Sequence, residues 1–202
     1  MNSGVLYVVS APSGCGKGTI LETVLKNNKN IYYSVSATTR SPREGEKDGI
    51  NYYFLSKEEF QKLIDNNGML EHACFCDNFY GTPRKQVEEK LREGFDVILE
   101  IETNGAMQIK KNFPDAILIF ILPPSVSELR RRLFKRRTET EEVIEKRLSE
   151  AKNEISLAKK YDYIMINAEL EKAISNFEAI IVASKLTNKK NSNKIEEVLN
   201  NA

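Results

Sequence analysis

The sequence predicts an α/β fold: a mostly parallel central sheet flanked by helices, with a small antiparallel lobe and a charge-rich helical segment inserted into it. Three observations carry that reading. Short, continuous apolar runs at 5–10, 32–36, 97–101, 117–122 and 162–166 have the character of strands buried on both faces. Amphipathic helical patterns at 17–27, 84–93, 104–112, 126–136, 140–160 and 169–186 follow them, and such alternation builds parallel sheets. Between 37 and 83 the alternation breaks into shorter pieces. At 202 residues the chain suits one domain with a full core. We divide it into a core of 1–36, 84–125 and 160–187, a lobe of 37–83, a helical segment of 126–159 and a polar tail of 188–202.

Composition excludes more than it selects. The net charge of +1 supplies no global attraction for nucleic acid or membrane, so any affinity for phosphates is local. No apolar run approaches the ~20 residues of a membrane span. The first strand begins within four residues of Met1, which leaves no room for a signal peptide. Three cysteines cannot all pair and their spacing does not suggest zinc, so a reducing cytoplasm is expected.

The first strand, with Val5, Leu6, Val8 and Val9, runs into Ala11-Pro12-Ser13-Gly14-Cys15-Gly16-Lys17-Gly18-Thr19 and then a helix carrying Ile20, Leu21, Val24 and Leu25. A small-residue loop between strand and helix cradles phosphates. Gly14, Gly16 and Gly18 let backbone N–H groups turn inward, the helix N-terminus adds partial positive charge, and Lys17 reaches the outer phosphates. The match to G-x-x-x-x-G-K-[ST] is imperfect, because Ala11 stands at the first glycine and Gly18 at the hydroxyl, with Thr19 one place later. The implied ligand is a nucleoside triphosphate. Cys15 is either a small side chain tolerated in the loop or a thiolate favoured by the helix N-terminus and Lys17.

After the strand at 32–36, Arg40 and Arg43 sit three apart in a hydroxyl-rich loop stiffened by Pro42 and Gly45. They are either a fork for a phosphate or two solvated surface charges. Tyr52–Leu55, Leu70–Ala73 and Asn78–Tyr80 predict short strands of the lobe. One helix lies between them, opened by the capping box Ser56-x-x-Glu59 and burying Phe60, Leu63 and Ile64. Cys74 and Cys76 alternate along a strand, share a face and are expected to fill space. His72 is the single histidine and reads as an ordinary strand residue.

Gly94 stops the helix at 84–93. The next strand ends on Glu100 and Glu102, acidic residues at the sheet edge where open α/β folds bind ligands. Ser125-x-x-Glu128 is a second capping box. Residues 130–137 hold six basic side chains in eight, a pattern shared by nucleic-acid patches, but Glu139, Glu141, Glu142 and Glu145 follow directly. The tail beyond Asn188 is polar and expected as a frayed helix or extension.

The order of Ser36-Ala37-Thr38-Thr39-Arg40-Ser41-Pro42-Arg43-Glu44-Gly45-Glu46, Gly49-Ile50-Asn51-Tyr52 and Phe79-Tyr80-Gly81-Thr82 resembles the acceptor lobe of the guanylate kinases. Thr138-Glu139-Thr140-Glu141 with Lys146-Arg147-Leu148 resembles that family's lid. The resemblance runs from residue 5 to about 185. It implies a P-loop nucleotide kinase fold and Mg2+-dependent transfer of the ATP γ-phosphoryl group to GMP.

Position by position, the resemblance implies that Arg40, Arg43, Tyr52 and Tyr80 bind the GMP phosphate and that Ser36, Glu71 and Thr82 read guanine. Glu100 and Glu102 would orient the acceptor and the hydrated Mg2+. It implies ATP on Ala11 to Thr19 (Ala11, Pro12, Ser13, Gly14, Cys15, Gly16, Lys17, Gly18, Thr19), with Arg132, Arg136 and Asn167 beside it. Thr19 would help hold the metal. Lys17, Arg40, Arg136 and Arg147 form the implied catalytic charge clamp. Glu71 makes independent chemical sense, because a carboxylate only accepts and the N1–H and N2–H₂ edge of guanine only donates.

The chain departs from the family pattern at Glu102, usually Asp, at Thr103-Asn104, at Arg137, usually Gly, and at Ala168, often Asp. Three rival readings are a kinase for another nucleoside monophosphate or a sugar phosphate, a non-catalytic module binding phosphorylated peptides, and a regulatory or nucleic-acid-binding P-loop protein. The acceptor is GMP, with dGMP left open, no nucleic acid or membrane partner is expected, and oligomeric state is open.

Overall fold

The computed structural model describes residues 3–135 and 140–201. In chain order the elements are β1 (Leu6–Ser10), α1 (Lys17–Asn27), β2 (Ile31–Tyr33), β3 (Ala37–Thr38), β4 (Tyr53–Phe54), α2 (Lys57–Asp65), β5 (Met69–Phe75) and β6 (Asn78–Pro83). They continue as α3 (Arg84–Arg92), β7 (Asp96–Glu100), α4 (Thr103–Asn112), β8 (Ile117–Leu122), α5 (Val126–Lys135) and α6 (Glu141–Leu157). The chain closes with β9 (Tyr163–Ile166), α7 (Leu170–Lys185) and α8 (Asn188–Asn200).

Five strands form one parallel sheet in the order β2-β7-β1-β8-β9. Strand side chains alternate between faces, so β1 feeds two cores. Val5, Tyr7 and Val9 pack with Ile20 and Val24 of α1 and Phe177 and Ile181 of α7. Leu6 and Val8 pack on the other face with Val87 of α3 and Ala106 and Ile109 of α4. All five predicted sheet strands are present, within a few residues of their expected bounds. The run expected at 32–36 stops being strand after Tyr33, although the Ser34 N–H still donates to Ile98 O at 3.0 Å. Beyond it the chain leaves this sheet, and Ala37–Thr38 pairs with β6 in the other.

The second sheet, β4-β3-β6-β5, belongs to the inserted segment. Its β3–β6 and β5–β6 pairs are antiparallel, while the short β3–β4 pair is parallel because the long loop between them returns the chain to its starting end. The Ser56 box forms as predicted: Ser56 Oγ accepts from Glu59 N at 3.1 Å, and Glu59 Oε2 from Ser56 N at 2.7 Å. Phe60 is fully buried and stacks on Phe79 with ring centroids 5.5 Å apart.

The expected space-filling role of Cys74 and Cys76 does not hold, because both are exposed. Cover along β5 ends after Glu71, and Cys76 is outside the strand. Cys76 and Asp77, at φ of 48° and 61°, form the two-residue turn between β5 and β6, which needs left-handed backbone at both positions. His72 is an exposed β5 residue whose main chain bonds the Gln108 side chain, as an ordinary strand residue would.

Gly94, at φ 89°, ends α3 with Phe95 N bonded to Lys90 O at 3.0 Å. Ser125 caps α5 through Glu128 N at 3.0 Å, but the Glu128 carboxylate does not complete a box. Arg131 and Arg132 claim it and hold it down to about 2. The helix expected at 140–160 ends at Leu157 and closes in a single tighter turn, Ala158–Lys160. Leu129 and Leu133 of α5 meet Ile144, Leu148 and Ala151 of α6 in a separate small core. The polar tail is helical as α8, and none of its described residues is buried.

One charge sits deep in the sheet. Asp96 is 3% exposed, accepts from Val5 N at 3.0 Å, and pairs with Lys185 Nζ at 2.6 Å, stitching the entry of β1 to α7. Asp96→Ala strands a buried N–H and is expected to cost about 2 kcal/mol. Urea unfolding measures it, and a loss below about 0.5 kcal/mol would show the stitch to be dispensable.

Candidate active site

The loop after β1 has its predicted shape, built by two glycines rather than three. Gly14 and Gly16 lie at φ 88° and 85°, conformations that side chains resist. Gly18 is already in α1 with open space where a Cβ would go, so its backbone freedom is not what shapes the loop. The first-turn N–H groups of α1 lack intrahelical partners and open into the loop. Thr19 is exposed on that same turn.

Cys15 is buried, with Sγ 3.4 Å from Ile121 O, and burial pushes its thiol up to about 11 despite Arg132 and Lys17 nearby. The thiolate alternative is therefore set aside. The backbone of Cys15 matters more. Its carbonyl accepts from Asn167 Nδ2 at 2.7 Å and Arg132 Nη1 at 3.4 Å, while Arg132 Nη2 donates to Asn167 O at 2.9 Å. A Cβ on Gly16 would meet Asn167 Nδ2 at 2.6 Å, and one on Gly14 would meet Leu133 Cδ2 at 2.8 Å. The loop is thus clamped from outside by the end of β9 and by α5. Ala11 is half-buried, Pro12 buried and Ser13 exposed, with Arg147 Nη1 of α6 at 3.5 Å from Ser13 Oγ. Arg136, with Arg137, lies outside the described residues.

Lys17, whose side chain is 19% exposed, points its Nζ at Glu100 Oε1, 3.5 Å away. Glu100 marks the border with a cleft of about 280 Å³ between the two sheets. Ser36, Tyr52, Glu71, Tyr80, Glu100, Glu102 and Gly105 line it, so most residues expected to bind the acceptor converge there. Glu71 is 6% exposed, and Thr82 Oγ1 donates to its Oε1 at 2.7 Å. Burial raises the Glu71 carboxyl above its ordinary range, the Thr82 bond opposes that, and the charge of Glu102 adds to it. Thr82 holds Glu71 from behind.

At the other end of the cleft Tyr52 and Tyr80 meet edge to face, 6.1 Å between centroids, with the Arg40 guanidinium 5.6 Å from the Tyr52 ring. Arg40 Nη2 is bonded to both oxygens of Glu46 at 3.0 Å. That carboxylate also accepts from Arg43 N at 2.7 Å. The side chain of Arg43 is exposed on the loop, so the two arginines do not form the expected closed fork here.

Sequence reasoning missed three residues of this region. Glu46 neutralises and aims Arg40, and the Arg-x₅-Glu spacing inside one loop was its only signal. Gly105 faces Glu71, where a Cβ would come within 2.5 Å of Oε2. Glu154 of α6 is half-buried and has its carboxyl raised to about 7, by burial and then by the charge of Glu102, with Lys17 opposing. The first three arginines of the basic run are paired at home: Arg131 and Arg132 with Glu128, and Arg130 with Glu141 and Glu145.

A phosphate loop at the edge of a parallel sheet, facing an acidic and aromatic cleft roofed by a second sheet, defines a P-loop nucleotide kinase. The guanylate kinase family model matches residues 3–184. Guanylate kinase of Desulfitobacterium hafniense is 50% identical over 184 residues, 91% of this chain and 92% of that one. The Clostridioides difficile guanylate kinase is 51% identical over 185 residues, 92% and 90% of the two chains. The crystal structure of guanylate kinase from Anaplasma phagocytophilum superposes with a TM-score of 0.74 at 37% identity, covering 92% of this chain and 88% of its own. The chain belongs to the guanylate kinase family and is a phosphotransferase of that class.

Gly105→Ala should strengthen α4 as a helix yet displace the Glu71 carboxylate. Its expected signature is a raised KM for the acceptor with no loss of thermal stability, and an unchanged KM would remove Gly105 from the site. Glu154 predicts a pH dependence. Its carboxyl holds a proton more tightly folded than unfolded, so stability from this group declines as pH rises from its ordinary 4.5 toward about 7. Thermal midpoints at about pH 5 and about pH 8 should differ less in Glu154→Gln than in the parent chain. An identical difference in the two would show that Glu154 ionises freely in the fold.

Proposed function

We propose that the chain transfers the γ-phosphoryl group of Mg·ATP to GMP, with the base read by Glu71 and Thr82. The observation that carries this is the buried Glu71 carboxylate in the cleft wall, across from the phosphate loop. Guanine presents donors to it, whereas adenine sets the N1 lone pair against it, a mismatch of about 1–3 kcal/mol. Ser36 completes the base site.

The acceptor is already anionic, so its phosphate oxygen needs little help from a base to form the new P–O bond while ADP leaves. The work of the protein is alignment, charge neutralisation and exclusion of water. Loop amides of residues 11–19 and Lys17 hold the triphosphate. Arg40, Arg43, Tyr52 and Tyr80 hold the acceptor phosphate, Arg43 turning in from its exposed position. Arg132, Arg136 and Arg147 add charge from the helical side, and Asn167 sits beside the adenine.

Residues 37–83 act as the acceptor lobe and 126–159 as a lid, both closing so that water does not take the phosphoryl group. Magnesium enters with ATP as part of the substrate. The ion keeps mainly phosphate and water ligands, with Thr19 the side chain that would help hold it. No described helix is long and apolar enough to cross a membrane. We place the enzyme in the cytoplasm, with GMP as the acceptor.

The test is ADP release with Mg·ATP and a panel of GMP, dGMP, AMP, CMP, UMP and dTMP. Turnover is expected with GMP and not with AMP, CMP, UMP or dTMP, while dGMP tests the need for the 2′ hydroxyl. Glu71→Gln should shrink the GMP-over-AMP preference by about tenfold or more, since a carboxamide can present a donor to adenine N1. A preserved ratio would rule Glu71 out as the base selector.

A further inference from the structure

Glu100 has two partners, and only one belongs to the phosphate loop. Its Oε1 lies 3.5 Å from Lys17 Nζ, longer than a close charge-assisted hydrogen bond. Its Oε2 accepts a 2.8 Å bond from the hydroxyl of Tyr33. Tyr33 ends β2 and Glu100 ends β7, the strand beside it, with Tyr33 in register with Ile98. The phenol therefore reaches along the sheet edge to the carboxylate. Tyr33 is 38% exposed as a residue, so core packing gives a weak account of its presence. Its hydroxyl is nonetheless committed, as a donor to Glu100.

We infer that Tyr33 is a positioning residue for phosphoryl transfer: its hydroxyl holds Glu100 toward the acceptor cleft, so that Lys17 is shared with Glu100 but not captured by it. The inference rests on the assignment of Lys17 to the triphosphate. An incoming triphosphate must draw the Lys17 ammonium away from a carboxylate of opposite charge. A carboxylate already satisfied by a phenol is a weaker competitor than one whose remaining strong donor is the lysine. Without the hydroxyl, Glu100 closes on Lys17, and ATP must break a tighter pair. Tyr33 thereby sets the ATP requirement from a position outside the loop.

The experiment is a double-mutant cycle of Tyr33→Phe and Glu100→Gln, read as KM for Mg·ATP, KM for GMP, kcat and thermal midpoint. Tyr33→Phe is expected to raise KM for Mg·ATP about three- to tenfold, the scale of one net hydrogen bond, with KM for GMP unchanged. In the Glu100→Gln background the same substitution should leave KM for Mg·ATP unchanged, a coupling that a merely structural role for Tyr33 would not produce. Wild-type kinetics in Tyr33→Phe, an equal effect in both backgrounds, or a loss confined to the thermal midpoint would each overturn the inference. Lys17→Ala separates the two levels. Lost turnover there beside an unaltered Tyr33→Phe overturns this inference alone, whereas retained turnover overturns the phosphate assignment beneath it.

Discussion

The main-chain carbonyl of Cys15 is where the site is held together. It accepts from Asn167 at the end of β9 and from Arg132 of α5, and these two are bonded to each other. A loop that aims N–H groups at an anion turns its carbonyls outward, where each needs a donor. Here the donors come from the far edge of the sheet and from the helical segment beyond β8. The phosphate loop is thereby tied to both without surrendering the amides on its inner side. Gly14 and Gly16 follow from the same constraint, since Leu133 and Asn167 occupy the space in which their side chains would lie.

The acceptor cleft is organised by a second constraint, a carboxylate kept in an apolar wall. Burying Glu71 is unfavourable unless its oxygens are bonded. Thr82, fully buried on β6, supplies one bond within the protein. That bond opposes the rise that burial imposes on the carboxyl. Arg40 is handled in the opposite way. Glu46 and the rings of Tyr52 and Phe54 hold its charge within the lobe.

The sequence made the sheet and the phosphate loop legible because each depends on local pattern: continuous apolar runs, helical periodicity, and small residues between strand and helix. The capping box at Ser56 and the stop at Gly94 were readable for the same reason. Cys76 was not, because a two-residue turn taking Cys-Asp lacks the Asn-Gly signature and reads as one more strand position. Glu46, Gly105 and Glu154 were missed because their meaning is relational. Gly105 lies 34 positions from Glu71 (105 − 71), and nothing near either residue announces that one must lack a Cβ for the other to fit. The lone basic run was readable only as charge, while its pairing with Glu128, Glu141 and Glu145 required the helices to be placed.

The three sulfurs divide the molecule in a way that bears on how it can be watched. Cys15 is sealed under the phosphate loop with its proton held tightly, whereas Cys74 and Cys76 stand in the open on the β5–β6 hairpin. Between them Phe75 lines the acceptor cleft. A thiol-reactive dye therefore finds its attachment points on the hairpin of the inserted sheet beside that cleft, and leaves the loop untouched. The native chain carries its own handles for following that hairpin in real time.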